Sequence, residues 1–134
     1  MPDIVPASGH PGPAVPRIVC DARATTTRLT ASGGALWKLT EPGRQLDANL
    51  IHLPRRQQVG SHAEPDLDVL LLVLAGDGTL GSVGETLHLA SGTLLWLPQG
   101  SCRSLAAGDD GMSYLTVHRR RPGMQIRSRG DAPN

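Results

Sequence analysis

Phenylalanine is absent from this chain, and its aromatic residues are two tryptophans and one tyrosine. Leucine and valine must therefore fill most of the hydrophobic core. The two cysteines, Cys20 and Cys102, are too few for a disulfide framework, so we expect free thiols. No apolar run approaches the roughly 18 residues of a membrane-spanning helix. The N-terminus also lacks the basic and apolar segments of a secretory signal, so we expect a cytoplasmic protein with no membrane partner.

The chain also has no large excess of positive or negative charge, because 13 basic and 12 acidic residues give a net charge of +1. A global electrostatic attraction to nucleic acid or membrane is therefore not expected. The run Arg119-Arg120-Arg121 could favour anions or RNA, but no aromatic platform for bases accompanies it. We interpret this run as a solvated strand end and expect no nucleic-acid partner.

A length of 134 residues is typical of one domain. Residues 1–34 are predicted to be a flexible leader that could add one edge strand, because residues 1–16 hold five prolines among glycines and alanines. From residue 35 the chain shows short apolar runs with glycine-containing turns at close intervals, which predicts an all-β barrel over residues 35–119 with little helix. Residues 120–134 are predicted to be a basic flexible tail. The predicted strands lie near residues 35–40, 47–54, 57–64, 67–75, 78–83, 85–90, 93–97, 102–107 and 112–119.

One motif with a fixed spacing is more specific than this general pattern of apolar runs and turns. Gly92 is followed after five residues by Pro98, after one more by Gly100, and after two more by Arg103. This spacing resembles the second motif of the small single-domain cupins, although that motif normally ends in a histidine. The resemblance covers about residues 47–118 and implies a double-stranded β-helix, or jelly-roll barrel, with a pocket at one mouth. Typical members hold Fe, Mn, Ni or Zn there through three histidines and a glutamate.

The first cupin motif matches this chain in part. His62 occupies the position of the first metal ligand, whereas Glu64 replaces the second histidine. The third ligand position is ambiguous by one residue between Asp68 and Val69, and side chains alternate between the two faces of a strand. A β-bulge between residues 68 and 76 would turn Asp68 inward. We expect Asp68 to face the pocket.

Arg103 stands where the fourth ligand would be, and a guanidinium has no lone pair to offer a metal. We therefore expect no cofactor and predict a buried ion pair between Arg103 and Glu64, with Asp68 nearby. The alternative is a divalent metal (Zn, Mn, Fe or Ni) bound by His62, Glu64 and Asp68.

Three further residues are candidate ligand contacts. His52 lies in a strand that borders the pocket of typical cupins, and Tyr114 and His118 share one face of the last predicted strand. The leading hypothesis is a small-molecule-binding pocket protein whose polar or anionic ligand contacts Arg103, His62 and Glu64.

The alternative function is an enzyme. It would be either a metal-dependent dioxygenase or a metal-free isomerase or lyase in which His62 or Glu64 acts as general base. A sensor domain is a weaker third class, since no DNA-binding helix-turn-helix is present. The resemblance further implies a homodimer.

Overall fold

The structure is a computed structural model, and it describes residues 14–27 and 33–121. One short helix and seven strands form in these ranges. They are α1 (Ala22–Thr27), β1 (Gly34–Lys38), β2 (Leu46–Leu53), β3 (Gln58–Ala63), β4 (Val69–Ser82), β5 (Glu85–Ala90), β6 (Leu94–Leu97) and β7 (Cys102–Arg119). All strand pairs are antiparallel. The prediction of an all-β fold is confirmed.

The two long strands, β4 and β7, form the centre of the fold, since they pair with each other from Leu70↔Val117 to Gly81↔Ser104. The second half of β7 also pairs with β2, and the first half of β4 pairs with β6. Together with β1 these form sheet I. The first half of β7 pairs with β3, and the second half of β4 pairs with β5, which forms sheet II. Both long strands therefore pass from one sheet into the other.

The passage between the sheets is made by irregular pairing. The register of β4 shifts on both sides of Gly76, and the facing part of β7, residues 108–111, leaves the pairing. Each irregularity changes which residues face the core. In β4 the core side chains are Val69, Leu71 and Val73 before the shift and Leu80 after it, and in β7 they are Leu105 and Ala107 before it and Met112 and Tyr114 after it. The sequence predicted two separate strands in each of these places, and bulges join them instead of turns.

Glycine at position 76 is required by this bend. Its backbone φ is +74°, and a Cβ atom there would lie 2.0 Å from the carbonyl oxygen of Gly111. The two long strands can approach each other this closely only because no side chain stands between them.

Helix α1 lies within residues 1–34, for which the sequence predicted a flexible leader with at most one edge strand. Asp21 caps its N-terminus, since its Oδ1 accepts a hydrogen bond of 3.1 Å from the amide of Ala24. The β-branched residues Thr25, Thr26 and Thr27 disfavour a helix by propensity, which hides it from the sequence. Their hydroxyls each donate to a backbone carbonyl three or four residues earlier. Most of the predicted leader and tail lies outside the described residues.

The hydrophobic core fills the space between the sheets and is built from leucine and valine with Met112 and Tyr114. Another apolar set faces outward on sheet I, where Leu70 is paired with Trp96. Leu70, Leu94 and Trp96 are 46%, 62% and 65% exposed. The homodimer stays a prediction.

The turn between β4 and β5 contains a strained residue that offers a stability test. Val83 has φ of +47° and Gly84 has φ of +78°, and the flanking Ser82 and Glu85 are paired. Positive φ at both central residues is the requirement of a type I′ turn, in which asparagine is favoured and a β-branched residue is not. Because Val83 is 89% exposed, its replacement loses little packing. We expect Val83→Asn to raise the free energy of unfolding by about 1 kcal/mol in urea titration, and an unchanged or lower value would contradict the strain.

Candidate functional site

A cavity of about 340 Å³ opens between the two sheets. Its lining is divided by chemistry. Seven aliphatic residues line it: Ile51, Val59, Val69, Leu71, Leu80, Leu97 and Leu105. Seven polar or ionisable residues complete it: His62, Glu64, Arg103, Tyr114, Thr116, His118 and Arg121. Five of the sequence candidates are thus brought together, namely His62, Glu64, Arg103, Tyr114 and His118.

Arg103 is only 7% exposed. It lies on β7 directly opposite His62 of β3. Its Nη1 donates hydrogen bonds of 3.2 Å to the backbone oxygen and to the hydroxyl of Ser101. No carboxylate pairs with it in the part of the chain that the structure describes. The predicted Arg103–Glu64 ion pair is therefore corrected, and Arg103 retains donors at Nε and Nη2 without protein acceptors among those residues.

Glu64 pairs instead with Arg121, whose Nη2 lies 2.8 Å from Glu64 Oε1. Its other oxygen, Oε2, accepts a bond of 3.0 Å from the amide of Asp66. The hydrogen bond from Arg121 is the main reason that the pKa of Glu64 lies below its ordinary value, and the Asp66 amide and the charge of Arg103 act in the same direction against the effect of burial. Glu64 is therefore a carboxylate at neutral pH.

Arg121 is a site residue that sequence reasoning missed, since the arginine run was interpreted as a solvated strand end. Its position follows from contacts of the preceding backbone. The amide of Arg120 donates to the carbonyl oxygen of Gln45 at 2.8 Å. Burial raises the pKa of Asp47, but hydrogen bonds from the Arg44 side chain and from the Arg121 backbone lower it overall. The end of β7 is thus fastened to residues 44–47, which directs the Arg121 side chain to Glu64.

The two cavity histidines stand on opposite sheets, His62 on β3 and His118 on the second half of β7. His62 Nδ1 lies 3.1 Å from the carbonyl oxygen of Gly60, and His118 Nδ1 lies 2.7 Å from that of Arg119. A carbonyl oxygen only accepts, so Nδ1 carries the proton in both rings. Nε2 is then the nitrogen of each ring that remains for a ligand.

Tyr114 adds a buried hydroxyl to the cavity wall. The residue is 5% exposed, and burial raises its pKa to about 12. Its hydroxyl therefore stays protonated and can donate. Within residues 14–27 and 33–121 this hydroxyl has no hydrogen-bond partner, which is uncommon for a buried polar group in a folded protein.

Asp68 does not line the cavity, and the expectation that it faces inward is corrected. Its Oδ1 accepts a hydrogen bond of 2.8 Å from the amide of Gln99. Val69 takes the inward position, because the alternation of buried residues runs unbroken from Val69 to Val73. The bulge that would have changed this phase begins only beyond Val73.

His52 also lies outside the cavity, where Ile51 faces inward in its place. It is 5% exposed, and its Nδ1 lies 2.9 Å from the hydroxyl of Ser113, the residue opposite it on β7. His52 is therefore a buried, hydrogen-bonded structural histidine, which corrects its place among the ligand-binding candidates.

The residues present do not fit the metal centre that the cupin resemblance implies. With Asp68 turned away, the described residues bring together no group of three histidine, cysteine, aspartate or glutamate side chains that could hold a metal ion. Glu64 is already engaged by Arg121 and Asp66. The nearby guanidinium of Arg103 would repel a divalent cation. The absence of a cofactor stays a prediction.

His52 leads to a prediction about acid stability. Burial lowers the pKa of His52 from its ordinary value of 6.5. The unfolded chain then binds this proton more readily than the folded chain does, so stability falls as the pH drops below about 6.5. We expect the free energy of unfolding to decline from pH 7 to pH 5, as measured by urea titration. His52→Asn keeps an acceptor for the Ser113 hydroxyl but does not titrate, so its decline should be smaller. Equal declines in the wild-type protein and in His52→Asn would contradict the conclusion that protonation of His52 causes the loss of stability.

No protein-family model and no curated protein matches the chain, whereas many solved structures do. A double-stranded beta-helix domain protein from Klebsiella pneumoniae aligns with a TM-score of 0.63 and 15% identity over 78% of this chain and 90% of that one. A cupin-2 domain-containing protein from Shewanella frigidimarina aligns with a TM-score of 0.60 and 12% identity over 76% and 95%. The cupin domain of Schizosaccharomyces pombe Cnp3 aligns with a TM-score of 0.57 and 13% identity over 63% of this chain and 59% of that one.

At these identities the likeness concerns the fold. The architecture is that of a double-stranded β-helix. More particularly, the chain has the fold of a small cupin-type domain, as the Gly92–Arg103 spacing predicted. The described residues also contain no helix long and apolar enough to cross a membrane.

Proposed function

We propose that this protein binds a small organic anion with an apolar body, whose acidic group contacts Arg103. The observation that carries this proposal is a guanidinium that is only 7% exposed, lines a cavity and has no carboxylate partner among the described residues. A buried charge without a partner is costly to a fold. An anion in the cavity would compensate it through charge-assisted hydrogen bonds, for which arginine has a suitable planar fork.

The rest of the lining supports the same class of ligand. The buried hydroxyl of Tyr114 can donate to an oxygen of the anion, and Thr116 adds a second hydroxyl to the same wall. The seven aliphatic side chains would contact an apolar body. A volume of about 340 Å³ equals that of about eleven water molecules at about 30 Å³ each, so the ligand is small.

Calorimetry with hexanoate tests this proposal, and 1-hexanol is the matched ligand without charge. We expect hexanoate to bind and 1-hexanol to bind at least about tenfold more weakly, because a charge-assisted hydrogen bond contributes about 1.5–3 kcal/mol. In two-dimensional NMR spectra, hexanoate should shift the signals of Leu71, Leu105 and Tyr114. The absence of binding, or shifts confined to the outer face around Trp96, would contradict the proposal.

A metal-free enzyme is the second candidate, and the pairing of His62 with Arg103 favours it. An acid group held by Arg103 would bring its α-carbon near the cross-strand neighbour, His62, since directly opposite residues have Cβ atoms about 5 Å apart. With Nδ1 bonded to Gly60, Nε2 of His62 could accept an α-proton as a general base, and the electron pair of the broken C–H bond would delocalise onto the acid group held by Arg103. Exchange of the α-protons of hexanoate in D₂O, lost in His62→Gln, would support this activity. No exchange above the rate in buffer would contradict it for this ligand.

A further inference from the structure

We propose that the Glu64–Arg121 ion pair makes the cavity selective for ligands with a single negative charge over dicarboxylates. This inference rests on the proposed function and specifies its ligand class. Glu64 and Arg121 are then specificity-determining residues, whereas Arg103 is the residue that binds the acid group.

The charges of the lining give the first reason. Among the lining residues, Arg103 and Arg121 each carry a positive charge and Glu64 carries a negative one. These three side chains therefore sum to one positive charge. One carboxylate neutralises this charge, and a second carboxylate would find it already compensated.

The two arginines differ in what is available to a ligand. Arg103 is buried and has donors that no described protein acceptor uses. Arg121 already gives Nη2 to Glu64 at 2.8 Å. A monocarboxylate can thus bind Arg103 and lie along the aliphatic lining without disturbing any contact of the protein. A second carboxylate could reach Arg121 only by displacing Glu64.

Displacement of Glu64 is unfavourable because both of its oxygens are engaged. Oε2 accepts a hydrogen bond from the amide of Asp66, and the backbone oxygen of Glu64 accepts one of 2.7 Å from the amide of Gly100. The side chain and the backbone of Glu64 are therefore both held in place. Its side chain is 14% exposed, so a carboxylate left unpaired there would be poorly solvated. It would also lie beside the incoming like charge.

Arg121 is also held in place, by hydrogen bonds of the backbone at the end of β7. Its backbone hydrogen-bonds to Asp47, and the preceding amide bonds to Gln45. The side chain is 55% exposed, which puts the ion pair at the solvent side of the cavity, while Arg103 lies deeper. A ligand therefore meets a neutralised pair first and afterwards a guanidinium that forms no ion pair with the described residues.

Matched acids test the inference by calorimetry. We compare hexanoate with adipate and butyrate with succinate, which differ at one end by a methyl group or a carboxylate. In the wild-type protein we expect each monocarboxylate to bind at least about tenfold more tightly than its dicarboxylate partner. In Glu64→Gln the amide still accepts from Asp66 but carries no charge, so Arg121 becomes available. We expect adipate to gain about tenfold or more in affinity, as for one added charge-assisted hydrogen bond, and hexanoate to change much less.

Two matched controls separate this effect from general charge. Glu85→Gln removes the same charge from the exposed start of β5 and should leave both affinity ratios unchanged. Arg121→Gln combined with Glu64→Gln should remove the gain for adipate, whereas Arg120→Gln combined with Glu64→Gln should keep it. Amide spectra of each variant verify the native fold.

The outcomes distinguish the inference from the function on which it depends. Wild-type protein that binds adipate as tightly as hexanoate overturns the charge selectivity and leaves anion binding in place. An affinity ratio that does not change in Glu64→Gln does the same. Failure of all four acids to bind overturns the proposed function itself, and the inference with it.

Discussion

Replacing Arg103 with methionine is expected to weaken hexanoate binding by about 10- to 100-fold, the loss that corresponds to about 1.5–3 kcal/mol for hydrogen bonds to a charged group. The free energy of unfolding should meanwhile stay unchanged or rise. The guanidinium is 7% exposed and bonds only to Ser101 among the described residues, so methionine removes a poorly compensated charge and keeps an apolar stem. Calorimetry and urea titration measure the two effects.

The expected weaker binding without a loss of stability depends on which arginine pairs with Glu64. If Arg103 paired with Glu64, as the sequence predicted, Arg103→Met would leave a carboxylate unpaired and destabilise the fold. Because Arg121 forms that ion pair, the carboxylate keeps its partner in the variant. Binding is therefore expected to weaken without a loss of stability, as often happens at residues kept for function.

Two controls test this result. Arg103→Lys keeps the charge but not the planar fork, so it should bind hexanoate with an intermediate affinity. Arg56→Met removes an arginine that pairs with Asp109 on the surface, where its side chain is 68% exposed, and should not change hexanoate binding. Unchanged affinity in Arg103→Met would show that the acid group binds elsewhere, and a large loss of stability would show that Arg103 is structural.

Gly76→Ala is expected to be the most destabilising single substitution considered for this fold, with a loss of about 2–5 kcal/mol in the free energy of unfolding. Two costs add. The residue has φ of +74°, which an alanine adopts with strain, and its Cβ would stand 2.0 Å from the carbonyl oxygen of Gly111. That oxygen belongs to backbone, so β4 and β7 would have to separate where they cross between the sheets.

Gly84→Ala is the matched control, because Gly84 has φ of +78° and nothing lies within 4 Å of a Cβ placed there. It carries the conformational cost alone, about 1–2 kcal/mol. Urea titration of both variants measures the difference, which reports the close approach of the two long strands. Equal losses would contradict the tight crossing at Gly76.

Much of the fold could be predicted from the sequence, and its main errors have local causes. The glycine-containing turns at close intervals and the spacing from Gly92 to Arg103 predicted the barrel correctly. Helix α1 was missed because three threonines argue against a helix, and Asp21 was its one visible signal. The two long strands were each divided in two, because a glycine-rich bulge and a glycine-rich turn have similar compositions.

The site was predictable where one strand face or one motif determines a position. The motif spacing identified His62 and Arg103, and strand alternation identified Tyr114 and His118. The expectation for Asp68 was wrong, because the bulge lies beyond Val73 and leaves the alternation from Val69 to Val73 unchanged.

Arg121 could not have been found in this way. Its contact with Glu64 joins residues 57 positions apart. This contact depends on the hydrogen bonds that hold the end of β7 to residues 44–47. The periodicity of apolar residues along the sequence does not indicate such contacts.

The irregular segment of β7, residues 108–111, separates two sets of cavity residues that belong to one strand. Arg103 and Leu105 precede it, whereas Tyr114, Thr116 and His118 follow it with the opposite alternation. A residue gained or lost at the exposed Asp109 or Asp110 can be absorbed outside the paired strands, so related chains are free to differ in length there. The same change a few positions away would turn a whole set of side chains out of the cavity. Length variation among homologues should therefore concentrate at these two positions, and the two walls of the cavity can diversify independently of each other.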